Sequence, residues 1–259
     1  AHDVPVTTRG AGTGNYGQAM PLAGGVVMHL KHMTAVRDIR PGAVVCEPGI
    51  VLKDLDAALR PSGQELRMFS STHATATVGG FIAGGSGGVG SVTWGQLRDL
   101  GNIIRLRVVT MEAEPRVLEF TGEELPRVSH AYGTNGIITE LELPTAPAYD
   151  WVDVLVGFDD FMAAAEWADA LGNMDGILKK LVSVVEAPLP HEWFLRIKDR
   201  IAPSQSVVTC MIAPHAMDAF RTFAARTPGA EIVYSSDQVS AEERRAFGVA
   251  YEYSWNHTT

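Results

Sequence analysis

The sequence predicts an α+β fold in two domains, and two observations carry that prediction. Eighteen of the 26 glycines fall within residues 1–101, where short apolar runs typical of strands alternate with loops. Beyond Pro144 and Pro147, strand patterns alternate with amphipathic helices, as in a sheet with helices on one face. Because proline interrupts a strand ladder, we place the boundary at this pair and predict domains over residues 1–147 and 148–259.

The first domain is predicted to consist mainly of short strands. Leu52, Leu55 and Leu59 share one helical face and predict a helix there, and Thr121 is a candidate N-cap for a second helix. The predicted helices are Val51–Leu59 and Glu123–Ala131. The predicted strands are Val4–Thr7, Gly25–Leu30, Ala43–Glu47, Val78–Ala83, Ile103–Met111, Val117–Phe120 and Ile137–Leu143, the last stopped by the two prolines.

The second domain is predicted to hold an antiparallel sheet covered by helices. Its clearest helix places Phe161, Ala164, Ala168 and Leu171 on one face and ends at Gly172. The predicted helices are Asp159–Leu171, Glu192–Arg200 and Ala216–Ala225, and the predicted strands are Trp151–Val156, Leu178–Val185, Val207–Ile212 and Glu231–Ser235.

Composition and charge exclude several classes of protein. An apolar fraction of 46% excludes a disordered chain, and a net charge of −9 opposes binding to nucleic acid. No uninterrupted apolar run reaches about 18 residues, so no membrane span is predicted. Cys46 and Cys210 form neither a disulfide framework nor a zinc site, which predicts no metal and a reducing, cytoplasmic setting.

Three short motifs suggest chemistry but lack the context that each would need. Gly12–Gly17 matches G-x-G-x-x-G, yet Pro21 and the glycines after it oppose the helix of a Rossmann site, leaving only a main-chain nest for phosphate. Ser86 lies in a G-x-S-x-G motif without a helix directly after it, so a glycine loop is favoured over a serine hydrolase, which a fluorophosphonate would label. His29 and His32 have no carboxylate partner in sequence and are interpreted as surface or packing residues rather than metal ligands.

Three segments together resemble one family. Residues 5–14 are P-V-T-T-R-G-A-G-T-G, residues 71–83 are S-T-H-A-T-A-T-V-G-G-F-I-A, and residues 132–140 are Y-G-T-N-G-I-I-T-E. In this order they resemble the pyrophosphate loop, the second flavin segment and the following strand of FAD-linked oxidases of the vanillyl-alcohol oxidase/p-cresol methylhydroxylase (PCMH-type) superfamily. The likeness is greatest to glycolate-oxidase-subunit-like FAD/FMN dehydrogenases. It covers residues 3–147 and implies a PCMH-type FAD-binding domain followed by a substrate (cap) domain.

The resemblance implies FAD as the cofactor and a set of residues that bind it. Main-chain amides of the first loop would wrap the diphosphate, which requires the absence of side chains there. Arg9 is a candidate to neutralise phosphate charge, with a loop-ordering salt bridge as the alternative. No histidine is present in the first loop, so FAD is expected to bind there non-covalently. The implied residues are Arg9, Gly10, Ala11, Gly12, Thr13, Gly14, Thr72, Thr77, Gly79, Gly80, Ala83, Ser86, Gly87, Gly88, Gly136, Ile137 and Ile138.

Both ends of the sequence suggest a piece of a longer protein. The chain begins without Met and ends in an aromatic run, Tyr251 to Trp255. The strands that precede the first loop in the family, and the end of its substrate domain, are missing. We therefore expect an FAD-binding domain that is incomplete at its N-terminus and an incomplete substrate domain.

The implied reaction is removal of a hydride from a CH–OH carbon, with a 2-hydroxy acid as the expected substrate. Such a substrate needs a cation for its carboxylate and a base for its hydroxyl. Arg196 and Lys198 are candidates for the cation, or else part of a solvated face. His257 and Tyr253 are candidates for the base, with a buried structural histidine as the alternative for His257. The sequence does not identify the electron acceptor. It does not identify the oligomeric state either, and a homo-oligomer is one of the alternatives.

A second hypothesis is a nucleotide-binding or interaction module that keeps the fold without turnover. The two hypotheses differ in whether a bound flavin is reduced by an alcohol or an acid.

Overall fold

A computed structural model of the chain describes residues 4–253. These residues divide into two compact units: the first runs to Gly88 and resumes over Trp94–Ala148, and the second comprises Val89–Thr93 and the chain from Tyr149 onward. The division lies one residue from the predicted boundary at 147. That the two units are separate functional domains stays a prediction.

The first unit contains two sheets. Strands β1 (Val6–Arg9) and β2 (Val26–His29) pair in parallel, with Val6 opposite Val26 and Arg9 opposite His29. The other sheet has the order β3-β4-β8-β6-β7 with antiparallel pairing throughout, and β5 pairs with the end of β8. Its strands are β3 (Val36–Arg40), β4 (Ala43–Cys46), β5 (Gln64–Leu66), β6 (Arg105–Val109), β7 (Val117–Thr121) and β8 (Ile137–Pro147).

Three α-helices interrupt these strands. Helix α1 (Leu52–Leu59) buries Leu52, Leu55 and Leu59, as their spacing predicted. Helix α2 (Val78–Gly84) forms the end of the second glycine-rich segment. The short α3 (Ser91–Trp94) comes next in the chain, and its first three residues belong to the second unit.

The strand predicted over Val78–Ala83 is wrong, because these residues form α2. The Thr77 side chain accepts a hydrogen bond from the Gly80 N–H at 3.3 Å and so caps the helix. Val78, Phe81 and Ile82 fall on one helical face and are buried. The cap and this apolar face outweigh the low helix propensity of the three glycines in α2.

Two further predictions in this unit are corrected. Pro144 does not stop β8. The Thr145 N–H points toward β4, where it donates to Gly42 O. Successive N–H groups of a strand point to opposite sides, so the missing N–H of Pro144 would point away from β4. On that side β6 pairs only as far as Glu142, so no ladder bond is lost. The helix predicted over Glu123–Ala131 is a 3₁₀ helix over Gly122–Arg127 that contains Pro126, and the Thr121 side chain forms no cap.

The second unit is built on one antiparallel sheet of order β10-β11-β9-β12. The sequence predicts helices on one face of this sheet, but both faces are covered, since every residue of the third strand in this order, β9, is buried. On one face, Val154 and Val156 pack in a cluster with Trp167 and Phe220. On the other face, Leu155 packs in a cluster with Phe194, Phe247 and Tyr253. The strands are β9 (Val152–Phe158), β10 (Lys179–Val185), β11 (Ser206–Ile212) and β12 (Glu231–Ser235); the helices are α4 (Phe161–Gly172), α5 (Leu189–Trp193), α6 (Met217–Ala225), α7 (Ala241–Phe247) and α8 (Ala250–Tyr253).

The single helix predicted over Glu192–Arg200 is also wrong. The backbone leaves α5 at Phe194, with φ −81° and ψ 61°, and a short 3₁₀ helix follows over Lys198–Arg200. Phe194 and Ile197, on the two sides of this break in the chain, are both buried in one apolar cluster with Leu155.

Candidate functional site

The first glycine-rich loop and the second one are in direct contact. Loop 10–14 leaves the carboxyl end of β1, and the bare Cα of Gly10 packs against Thr77, the N-cap of α2. A Cβ at Gly10 would overlap the Thr77 Oγ1 atom. The absence of a side chain at this position is therefore what allows the two segments to meet.

The third segment of the resemblance joins the other two. The Tyr132 N–H donates a hydrogen bond to Ala83 O at the end of α2, at 3.0 Å. Gly133 packs against the Thr8 side chain of β1. Residues separated by more than 120 positions in sequence thus surround one region of the first unit.

The main-chain N–H groups of loop 10–14 are free to bind a ligand. Within residues 4–253, none of the five donates a hydrogen bond. The Arg9 guanidinium lies against the bare Cα of Gly12, and within the same described range Arg9 forms no salt bridge. Unpaired amides next to a cation form an environment that favours an anion.

A cleft of about 600 Å³ opens beside this loop. Its lining includes Ala11 of the loop, Gly49 and Val51 before α1, and Thr75 and Thr77 before α2. Three ionisable side chains that sequence reasoning missed as cofactor candidates also line it, namely His29, Lys31 and Asp54. The signal that could have found the first two is their position directly at the end of a strand parallel to β1.

The remaining residues implied by the resemblance lie around α2 and at the start of β8. Gly79 is buried, and its bare Cα packs against Pro48, whereas Gly80 is exposed. The Thr72 C=O accepts hydrogen bonds from the N–H groups of Thr75 and Ala76, which forms the turn before Thr77. Three exposed residues follow α2, namely Ser86, Gly87 and Gly88. Gly136, directly before β8, and Ile137 and Ile138, its first two residues, are buried.

The structure supports the rejection of both interpretations, the Rossmann site at Gly12–Gly17 and the serine hydrolase at Ser86. Residues 10–25 contain no helix, as the argument against a Rossmann site requires. Ser86 follows a helix rather than a strand, so it does not occupy the strand–turn–helix position of a hydrolase nucleophile. Within residues 4–253, no cluster of three or more His, Cys, Asp or Glu side chains is arranged to hold a metal ion.

Of the two candidate bases, only Tyr253 lies within the described residues, and it belongs to the second unit. The Tyr253 hydroxyl donates to Phe247 O at 2.6 Å, and its ring packs against Phe194 and Phe247, which favours a structural role. Burial is the main cause that raises the pKa of Tyr253 far above its ordinary value. His257 lies outside the described residues.

The two candidate cations also differ. Arg196 forms an ion pair with Glu252 at 2.6 Å. Lys198 is exposed and lines a second cleft of about 550 Å³, together with His191, Arg200 and Glu231. The roles of Tyr253, His257, Arg196 and Lys198 stay predictions.

The geometry of the first unit fits a diphosphate-bridged cofactor. The loop offers five unpaired amides, the adjoining cleft has basic side chains on its wall, and the approach of Gly10 to Thr77 leaves no space for a side chain. Main-chain amides suit this acidic chain because they bind phosphate without adding net positive charge.

Comparison with known proteins identifies the first unit. Residues 1–119 match the model of a protein family described as an FAD binding domain. An uncharacterized FAD-linked oxidoreductase of Mycobacterium tuberculosis is 31% identical over 202 residues, which are 72% of this chain and 43% of that protein. The glycolate oxidase subunit GlcD of Bacillus subtilis is 29% identical over 175 residues, which are 64% of this chain and 37% of that protein.

A solved structure shares the fold across both units. Alkyldihydroxyacetonephosphate synthase superimposes with a TM-score of 0.75 at 18% identity, covering 93% of this chain and 49% of that one. The chain thus spans less than half the length of the relatives that it matches. The predicted α+β fold and the predicted family are confirmed. Residues 1–119 belong to the family of FAD binding domains, and FAD is the cofactor of that domain.

Proposed function

We propose that this chain is the FAD-binding unit and part of the substrate unit of an oxidoreductase that acts on CH–OH groups, with a 2-hydroxy acid as substrate. The observation that carries the proposal is the meeting of three segments, through Gly10 with Thr77 and Tyr132 with Ala83, around a loop of unpaired amides. The chemistry that bound FAD would supply at this site is acceptance of a hydride from the substrate carbon.

The residues of the first unit serve to hold and orient the cofactor. Amides of residues 10–14 bind the diphosphate, and Arg9, the last residue of β1, adds positive charge beside the loop. Thr77 fixes the start of α2 against Gly10, so the loop and the helix keep one mutual position.

The substrate class is supported by similarity and by chemistry. The Bacillus subtilis relative is named for glycolate, which is a 2-hydroxy acid. Its carboxylate requires a cation, and Lys198 is the better placed of the two candidates because Arg196 is already paired with Glu252. His257 remains the preferred base, since the Tyr253 hydroxyl is bonded to Phe247 O.

The setting of the reaction is part of the proposal. No helix within residues 4–253 is both long and apolar enough to cross a bilayer. Cys46 and Cys210 are both buried free thiols, which is compatible with the predicted cytoplasmic setting. The electron acceptor is a separate small molecule or redox protein.

An anaerobic substrate panel tests this proposal. The purified protein, loaded with FAD, is mixed with glycolate, the two lactate enantiomers, 2-hydroxyglutarate and simple alcohols while flavin absorbance is recorded. We expect a 2-hydroxy acid to bleach the flavin bands and simple alcohols to leave them unchanged. Flavin that binds but is bleached by none of these compounds would instead support the non-catalytic module.

A further inference from the structure

Lys31 is a cation without a counter-ion on the wall of the cofactor cleft. Ion pairs occupy the guanidinium groups of the neighbouring sheet, such as Arg37 with Glu47 and Arg105 with Glu140. Within residues 4–253, by contrast, Lys31 forms no salt bridge, not even with Asp54, which lines the same cleft. Lys31 is exposed on the wall of this cleft, so its ammonium group is accessible to an anionic ligand that enters the cleft.

The backbone around Lys31 is fixed. The Leu30 N–H donates to Arg9 O at 2.9 Å, so the chain leaving β2 stays beside the chain leaving β1. A turn follows, in which the Met33 N–H donates to Leu30 O at 3.0 Å and the Gly49 N–H donates to Met33 O at 2.8 Å. Lys31 therefore projects from a short, hydrogen-bonded turn rather than from a free loop.

Gly49 holds this turn against the opposite wall of the cleft. A Cβ at Gly49 would overlap Leu30 O, so only glycine allows the two main chains to pack this closely. Gly49 and Val51 line the same cleft as Lys31 and Ala11. The turn that carries Lys31 and the loop that carries the free amides are thus two parts of one cleft.

The negative charge of the FAD diphosphate exceeds the positive charge that Arg9 alone supplies. The diphosphate of FAD carries two negative charges, whereas Arg9 supplies one positive charge and its guanidinium lies against Gly12 within the loop itself. Lys31 belongs to a different segment and supplies another positive charge. A flexible ammonium group of this kind suits a phosphate oxygen.

We infer that Lys31 is a further cofactor-binding residue, whose ammonium group neutralises the diphosphate bound by the amides of residues 10–14. This inference rests on the proposed FAD site. His29 lines the same cleft at the end of β2 and adds polar lining beside Lys31.

Binding measurements on the apoprotein test this inference without depending on turnover. FAD and ADP, which carry the diphosphate, are compared with riboflavin and adenosine, which carry no phosphate. The variants are Lys31→Gln, Lys31→Arg and Lys53→Gln, the last being an exposed lysine of α1 that does not line the cleft. Flavin fluorescence quenching gives Kd for the flavins, and calorimetry gives Kd for ADP and adenosine.

We expect Lys31→Gln to weaken FAD and ADP about tenfold, and Lys31→Arg and Lys53→Gln to stay within about twofold of the parent protein. Riboflavin and adenosine should bind all variants alike. Raising the salt to about 0.5 M should reduce the difference between Lys31→Gln and the parent, because the lost interaction is ionic.

Two results would overturn the inference. One is an FAD affinity in Lys31→Gln equal to that of the parent; the other is an equal loss for phosphate-free and phosphate-containing ligands, which would mean that Lys31 acts by supporting the fold. If Lys31→Gln does not fold, an FAD affinity in the parent protein that is insensitive to salt also overturns it. A failure of FAD to bind the parent protein would instead refute the proposed function.

Discussion

At the scale of single residues, Asp153 of the second unit is a carboxyl group held inside the protein. Its Oδ1 accepts a hydrogen bond from the Ala250 N–H at 2.9 Å and so anchors the start of α8. Burial is the main cause that raises its pKa from 3.8 to about 7, and the nearby charge of Glu252 adds to the increase, while the Ala250 N–H opposes it. The anchoring of α8 therefore has an electrostatic cost above neutral pH.

Replacing Asp153 by Asn is expected to change how stability depends on pH. Between about pH 4 and pH 7 the unfolded carboxyl ionises while the folded one stays protonated, so the free energy of unfolding falls as pH rises through this range. Asn keeps an oxygen for the Ala250 N–H but does not ionise. Relative to the parent, Asp153→Asn should gain stability from pH 4 to pH 8, by at most about 4 kcal/mol.

Urea denaturation at several pH values, followed by Trp fluorescence, measures this difference. Asp218→Asn, at an exposed carboxyl on α6, serves as the control and should follow the parent across the range. Profiles of Asp153→Asn and parent that run parallel from pH 4 to pH 8 would contradict the account.

At the scale of elements, α2 links the fold to the proposed cofactor site. Thr77 caps this helix through the Gly80 N–H, and Gly85 ends it in the left-handed conformation with φ 63°. Thr77 also forms the surface against which Gly10 packs. A change at Thr77 therefore affects both the helix and the loop.

Removing the capping hydroxyl of Thr77 is expected to destabilise the first unit. Thr77→Val keeps the shape of the side chain but leaves the Gly80 N–H without its partner, and should lower the free energy of unfolding by about 1 kcal/mol. Thr77→Ser keeps the hydroxyl and should cost less. Thr222→Val is the control, because the Thr222 hydroxyl bonds only to Asp218 O within the exposed face of α6.

Chemical denaturation checks the order of these variants. A Thr77→Val protein as stable as Thr77→Ser would show that the cap contributes nothing.

The elements also show why some of the fold could be predicted from sequence. Helix α1 was predicted because Leu52, Leu55 and Leu59 repeat at helical spacing, and this repeat is itself the cause of the helix. Helix α2 has seven residues, three of them glycine, so its short apolar run could not be distinguished from a strand. The signal that distinguishes it is the capping threonine before the run.

The break after α5 and the continuation of β8 depend on contacts that sequence patterns do not contain. Phe194 and Ile197 keep the i, i+3 spacing of one helical face and both enter the buried cluster, so the sequence pattern alone does not show that α5 ends at Phe194. Pro144 is tolerated because β6 ends before it. The outcome at Pro144 therefore depends on where another strand of the sheet ends.

At the scale of the whole molecule, the proposed cofactor site combines segments that lie far apart in sequence. The resemblance identified the three segments but not their contacts, such as Gly10 with Thr77 and Tyr132 with Ala83. Lys31 escaped sequence reasoning because a lysine after a strand usually belongs to a solvated surface. Its proposed role emerges only from the parallel pairing of β1 and β2, which places the two loops at one edge.

The central claim is that bare backbone at Gly10, packed on Thr77, shapes the loop that binds FAD. Titration of the apoprotein with FAD tests it most directly, with Gly10→Ala compared with Gly84→Ala. Gly84 is the control because it is the last residue of α2, directly after the second segment, and a Cβ there would contact no neighbouring atom within 4 Å. Because a methyl group at Gly10 would overlap Thr77 Oγ1, we predict that Gly10→Ala weakens FAD binding by about tenfold or more, while Gly84→Ala binds FAD like the parent. Equal FAD affinity in Gly10→Ala and the parent protein would contradict the account.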